Sequence, residues 1–346
     1  MRRRLILLCV LLLAVAAGDL IACRALMATI SGQFSQWAKS LREQGFTVAY
    51  REPIRTILPW RVRLAVPQLS VSGGKAMLPG GLTWHADQVD LSLSLLSPDT
   101  LTVTPDGEQA LQAAGAPGIV FFADQLDAVV PLGTTHPDEI DVRSQGLVVS
   151  LAASPHRQDL RIASLQLSLQ AARGGASRTS ARLSIAARGV GLPDNGLWPL
   201  GATINRFDTD LSLASPALSG DAPVEQARAW RDWGGVLTVQ SLELHWGPLI
   251  LRGTAELGLD QHLQPAGPGE AIVTGWSPTL DALARGGTIQ PGVAQTAKAV
   301  LASMAHPAQN DPDGQTLELP FTLQDSTLSV GKIPLMRFGE VVWGGN

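Results

Sequence analysis

The sequence is short of the residues that usually carry chemistry or staple a domain. Its 346 residues include two cysteines, Cys9 and Cys23, both in or at the edge of the apolar N-terminal segment. The region beyond can therefore hold neither a disulfide framework nor a thiolate metal site. This does not argue against an oxidising compartment; the folded part simply does not depend on one. Charged residues make up 16% and the net charge is −4, with no Lys/Arg cluster after the N-terminus, so nucleic acid is not an expected partner. Aromatics are 5%, with a single tyrosine, Tyr50, although strands usually recruit Tyr and Phe.

Catalytic patterns are equally scarce. The six histidines, His85, His136, His156, His245, His262 and His306, include no pair at helical metal-ligand spacing and none with a nearby cysteine. Asp311-Pro312-Asp313-Gly314 has the start of a calcium loop but lacks its closing glutamate, so a turn is expected. Gly189-Val190-Gly191 is not followed by the third glycine of a dinucleotide fingerprint. No nucleophile elbow or phosphate loop occurs. The chain reads as a non-enzyme with no cofactor and no metal site.

What it has instead is alternation. Between Val236 and Gly267, Leu242, Leu244 and Trp246 alternate with Glu243 and His245. Gly247-Pro248 breaks the run, and Leu249, Leu251, Gly253, Ala255, Leu257 and Leu259 follow on one parity. This predicts a hairpin with one aliphatic and one wet face. Similar strands are expected around Val62–Val66, Val89–Leu95, Leu101–Val103, Ile119–Ala123, Leu147–Leu151, Leu165–Leu169, Leu183–Ile185, Phe207–Leu213, Leu317–Leu323 and Leu328–Val330. Short helices are expected after Asp106-Gly107, after Asp221, over 278–285 and from Pro291. The apolar parity inverts at Asp87-Gln88, Ala163-Ser164 and Gln240-Ser241, as a bulge would make it do; the nearly equal offsets hint at a repeated unit. Trp60, Trp198, Trp246 and Trp276 each lie near a Gly or Pro, at strand ends suited to closing a core edge or rimming a groove.

At the N-terminus, Arg2-Arg3-Arg4 precede the apolar run Leu5–Ala17, which resumes at Leu20–Cys23. Three readings stay open: a membrane-crossing anchor, a cleaved signal peptide, and a lipoprotein site with Cys23 as the lipidated residue. Leu26, Ile30, Phe34, Trp37 and Leu41 continue the pattern as one helical stripe, with Gly45 as C-cap. A continuous helix makes the anchor the simpler choice. The expected organisation is an anchor over 1–23, an amphipathic helix over 24–45 and a β-rich domain over 46–346. The expected location is the inner membrane, single-pass, with the C-terminal domain in the periplasm; the alternative is a lipoprotein held through Cys23.

Trp37 with Leu41-Arg42-Glu43-Gln44-Gly45, Trp246-Gly247-Pro248-Leu249, Leu259-Asp260 with Leu263-Gln264-Pro265, and Leu328–Leu335 resemble an uncharacterised family of proteobacterial envelope proteins, a domain of unknown function. Trp-Gly-Pro-Leu and Leu-Gln-Pro are the most specific parts, and the resemblance carries no catalytic residues. More distantly, the anchor and Leu-rich strands are similar to the AsmA/TamB-like group. That similarity implies a curved sheet with a hydrophobic interior for lipid.

The expected fold is mainly β with a long N-terminal helix: an extended, twisted antiparallel sheet, taco- or sandwich-like, with a few short helices. The expected function is a membrane-anchored periplasmic envelope protein whose apolar groove binds or shields acyl chains, lined by Leu91, Leu93, Leu165, Leu167, Leu242, Leu244, Trp246, Leu249, Leu251 and Leu257. Its partners would be membrane lipid and envelope proteins. The alternative is a lipid-free β-sandwich scaffold or protein-interaction module.

Overall fold

A computed structural model describes residues 2–73, 81–113, 118–132, 139–151, 159–174, 178–193, 198–216, 223–308, 311–331, 333–341 and 343, with side chains from Gly18 onward except at 113, 172–174, 178–180, 215–216, 223, 307–308, 311–314, 333 and 335. It opens with one continuous helix, α1 (Arg2–Glu43). Strands β1 (Thr47–Ala49), β2 (Ile54–Leu58), β3 (Arg61–Gly73), β4 (Leu82–Ser94) and β5 (Ser97–Ala113) follow. Next come β6 (Ile119–Phe122), β7 (Gln125–Pro131), β8 (Glu139–Leu151), β9 (Leu160–Gly174), β10 (Arg178–Gly191) and β11 (Thr203–Pro216). After α2 (Pro223–Asp232) the chain makes β12 (Val236–Trp246), β13 (Leu249–Leu259) and β14 (Pro265–Thr274). It ends with α3 (Trp276–Arg285), α4 (Pro291–Ala302), β15 (His306–Ala308), β16 (Asp311–Gln324), β17 (Thr327–Val330) and β18 (Ile333–Arg337).

Among the described residues the strands form one antiparallel sheet of 18 strands. Most pairs are sequence neighbours. β1 and β2 share the outer side of β3, and β6 and β7 share the space between β5 and β8. β14 passes over β15 to pair with β16. The predicted hairpin is β12–β13, with Trp246 facing Leu249 across Gly247-Pro248.

The inversion at Asp87-Gln88 is a bulge between β4 and β5, and it shares one line with the inversion at Ala163-Ser164, where pairing runs one to one without the expected bulge. Gln68 in β3 faces Asp87 in β4, because Pro67 pairs with Gln88 and Leu69 with Ala86. Farther along, Gly146 in β8 faces Ala163 in β9, which faces Gly189 in β10. Gln68, Gly107, Gly146 and Gly189 take left-handed backbone, with φ of 48°, 79°, 62° and 59°. These four lie in β3, β5, β8 and β10, so alternate positions along this line carry the kink. Apolar side chains stay on one side across it. Val66 and Leu69 are both buried, as are Ala86 and Val89, and Ala187 and Val190. The inversion at Gln240-Ser241 is a separate bulge in β12.

The main core lies between α1 and the first strands. Cys23, Met27, Ile30, Phe34 and Ala38 recur at spacings of four and three and pack on Val48, Val62, Leu64, Val66, Leu69, Val71 and the β4 residues Ala86, Val89, Leu91 and Leu93. The expected stripe is rotated: Ile30 and Phe34 hold, Leu26 and Leu41 are partly buried, and Trp37 is exposed. The Phe34 ring meets Tyr50 edge-on at 4.9 Å, and Gly45, at φ 84°, caps the helix.

Three expectations are corrected. No helix among the described residues is long and apolar enough to cross a membrane, which overturns the single-pass inner-membrane placement. The side chains of Leu5–Ala17 lie outside the described residues. From Asp19 onward the helix is tied to the sheet: Asp19 accepts the N–H of Trp60 at 3.2 Å, and Cys23 is fully buried beside the Leu58 carbonyl, with burial raising its thiol pKa. The Ala/Gln-rich stretch after Gly107 is the end of strand β5, not a helix, because it pairs with β4 and β6 on its two sides. Asp311–Gly314 begins β16 rather than forming a turn. The other short helices appear where expected, as α2, α3 and α4, although Asp221 lies outside the described residues.

Gly146 gives the kink a direct test. A Cβ there would strike the Asp124 carboxylate and would have to adopt left-handed φ. Gly146→Ala is expected to lower unfolding free energy by about 1–2 kcal/mol or more. Gly32 lies inside α1 with open space around it, so Gly32→Ala is expected to raise stability by about 1 kcal/mol. Urea denaturation of both variants checks the pair.

Candidate functional site

The predicted groove residues fall into two groups. Leu91 and Leu93 are buried, 8% and 1% exposed, beneath α1, where they serve the core. Leu165, Leu167, Leu242, Leu244, Trp246, Leu249, Leu251 and Leu257 are all half-buried. Register places many of them side by side. Leu165 pairs with Ala187, Leu167 with Ile185, Leu244 with Leu251 and Leu237 with Leu257. They form an aliphatic face across β8–β13, continuous in parity with the core face under α1. The contacts of α1 with strands fall on β1–β4, while those of α2 and α3 fall on β13.

Several hollows adjoin this region. One of about 310 Å³ is lined by Val142, Leu167 and Ile185 with polar neighbours that include Asp208 and Asp210. Another, of about 770 Å³, is lined by Val239, Ala255, Pro268, Pro320 and Phe321 together with Thr and Glu side chains. There the sheet floor is small: Gly253, Ala255, Gly269 and Ala271 occupy adjacent positions. A Cβ on Gly269 would collide with the Phe321 ring. A third, of about 420 Å³, is lined by polar residues including Ser168, Arg182 and Asp210.

The opposite face carries an ion-pair ladder that sequence reasoning missed. Asp208 of β11 stands directly across from Glu243 of β12, and like charges at that spacing repel. Three arginines offset this repulsion, and a histidine hydrogen-bonds to Glu243. Arg188 and Arg206 both bond Asp208. Arg206 also reaches Glu243 at 3.2 Å, Arg252 reaches it at 3.1 Å, and His245 at 2.8 Å. Beside them, Ser184 and Ser241 donate to Asp210 at 2.6 and 2.8 Å. Bonding from Arg188 and then Arg206 holds the Asp208 carboxyl below its usual range. His245, Arg252 and the charge of Arg206 do the same for Glu243, and the two hydroxyls for Asp210. The hydrogen bond to Asp208 raises Arg206 in turn. Every carboxylate here is committed to partners, so the ladder suits strand pinning rather than proton transfer. Its signal was present as i, i+2 charges (Arg206, Asp208, Asp210; Glu243, His245), but which strands face each other is not written in either run.

The two most specific sequence motifs have structural work. Trp246 donates its indole N–H to the Gly201 carbonyl at 2.7 Å and its ring lies 6.2 Å from that of Trp198. Gly247, at φ 55°, passes so close to the Leu200 carbonyl that a Cβ does not fit. In Leu263-Gln264-Pro265, the Gln264 amide clasps Val341, accepting its N–H at 2.8 Å and donating to its carbonyl at 3.1 Å. Trp343 donates to the Leu263 carbonyl at 2.6 Å. In the same turn Asp260 and His262 approach Asp325, the three offering ligand atoms within 4.8 Å of one another.

The ladder sets a pH dependence. Asp208, Asp210 and Glu243 are depressed in the fold, so their contribution is complete above the unfolded carboxylate pKa of about 4 and is lost as pH falls through the lower folded values. Unfolding free energy is expected to be flat from neutral pH to about 5 and to fall below about 4. In Asp208→Asn that acid loss is expected to be smaller, by under about 1 kcal/mol because the group is partly exposed. Urea titrations of both proteins across this range measure it.

Comparisons with curated proteins and with solved structures return no match. A family model does match, over residues 27–338, which takes in the C-terminal part of α1 and every strand of the sheet. The chain belongs to the family described as an uncharacterized protein conserved in bacteria, DUF2125.

Proposed function

We propose that the aliphatic face of β8–β13 binds or shields hydrocarbon chains, acting as a non-enzymatic carrier surface for acyl lipids. One observation carries the reading: on this face Leu151 and Leu169 are exposed, 40% and 39% accessible. A closed two-layer sandwich buries its leucines on both inner faces. Here the predicted lining leucines beyond α1 remain half-buried, which favours the curved, open form of the sheet over the sandwich. Exposed apolar surface of this kind marks a site for an apolar partner. Branched and straight aliphatic side chains with few aromatic rings suit a flexible acyl chain, which needs area rather than directional contacts.

Leu167 and Gln166 separate the two faces. Titrating the full chain with a fluorescent fatty acid is expected to give saturable binding. Leu167→Glu is expected to weaken it at least tenfold, about 1.4 kcal/mol, while Gln166→Glu leaves it unchanged. Equal affinity in wild type and Leu167→Glu, with both folded by circular dichroism, returns the face to a lipid-free scaffold.

A further inference from the structure

We propose that Asp260, His262 and Asp325 form a binding site for a divalent transition-metal ion, with Zn²⁺ the best match. The site stands apart from the aliphatic face and does not depend on the lipid reading. Its residues come from two turns at one end of the sheet. Asp260 follows β13, in the turn to β14. Asp325 lies in the tight β16–β17 turn, where Asp325 and Ser326 both take left-handed backbone, with φ of 50° and 57°. Gly267 pairs with Leu323, which brings the two turns together although Asp260 and Asp325 are far apart in sequence.

Three observations point to a cation. The Asp260 carboxylate is already oriented: Oδ1 accepts the N–H groups of His262 and Gln264, each at 2.8 Å. Its other oxygen, Oδ2, is shut off from solvent and has no hydrogen-bond partner among the described residues. A buried carboxylate oxygen left unpaired is unfavourable, and a second carboxylate, Asp325, worsens it by repulsion. A bound cation satisfies the oxygen and reconciles the two charges. The third donor is an imidazole, and His262 is exposed, free to turn its ring inward. Mixed imidazole and carboxylate donors suit Zn²⁺ or Mn²⁺ rather than Mg²⁺ or Ca²⁺, which prefer oxygen alone.

The donor atoms lie within 4.8 Å of one another, whereas donors on one Zn²⁺ at about 2.1 Å stand at most about 4.2 Å apart. The exposed side chains of His262 and Asp325 can close that gap by rotation. The filled site would tie the β13–β14 turn to the β16–β17 turn. Gln264 and Ser326 already hold the C-terminal segment at those turns, through Val341 and Phe338. Zinc would therefore staple three separated pieces of chain.

Calorimetric titration of the untagged, chelator-stripped full chain with ZnCl₂ tests this. The expected result is one Zn²⁺ per chain with a higher melting temperature. His262→Gln and Asp325→Asn, both at exposed positions, are each expected to weaken binding at least tenfold and to abolish the thermal gain. Absence of saturable binding in the wild type overturns the proposal. So does binding that survives in both variants, since the ion then sits elsewhere. Ca²⁺ binding that excludes Zn²⁺ overturns the metal assigned.

Discussion

A strand whose aliphatic parity inverts must either turn leucines into water or break its pleat. This sheet breaks the pleat. The magnitudes favour that choice, because each large aliphatic side chain moved from cover to water costs about 1.5–3 kcal/mol, while a glycine in left-handed backbone costs far less. The kinks at Gln68, Gly107, Gly146 and Gly189 line up across the sheet, so the change of parity is shared by successive strands, with register kept across β8, β9 and β10 and shifted by one residue between β4 and β5. One aliphatic face therefore runs from the α1 core into β8–β13. The lining residues on β9 depend on that line, and those on β12 depend on the separate bulge at Gln240-Ser241.

Cover is unevenly distributed along this face. α1 roofs the first strands with a tight cluster that includes Ile30 and Phe34 and reaches full burial at Val62 and Val66. Farther on, the strands rely on one another, with the polar face pinned by alternating guanidinium and carboxylate groups from β10 to β13. Such exposed ion pairs add little net stability, but they fix which strands face which. A sheet pinned from its wet side can leave its oily side free for a ligand. The two turns that gather Asp260, His262, Asp325 and the C-terminal segment secure the far end.

Much of this was legible in the sequence, and the limits have physical reasons. Alternation located the β12–β13 hairpin and the parity inversions, since both are local properties of one strand. The helix after Gly107 was misread because Glu108, Gln109 and Gln112 have good helical propensity, whereas pairing on both sides decided the matter. The α1 stripe was read a fraction of a turn away because small and soft residues, Cys23, Met27 and Ala38, join Ile30 and Phe34 on the buried face. The charge ladder and the Asp260–His262–Asp325 cluster were invisible for one reason: each needs residues from strands or turns whose adjacency only the register supplies. The membrane placement failed where hydropathy was read without the contacts that bind Asp19 and Cys23 to the sheet.

Native mass spectrometry of the full chain, purified without detergent, tests the carrier surface most directly. An acyl-binding face predicts adducts of lipid mass that are released on activation and restored when fatty acid is added. A single adduct-free species that stays so in excess fatty acid contradicts it.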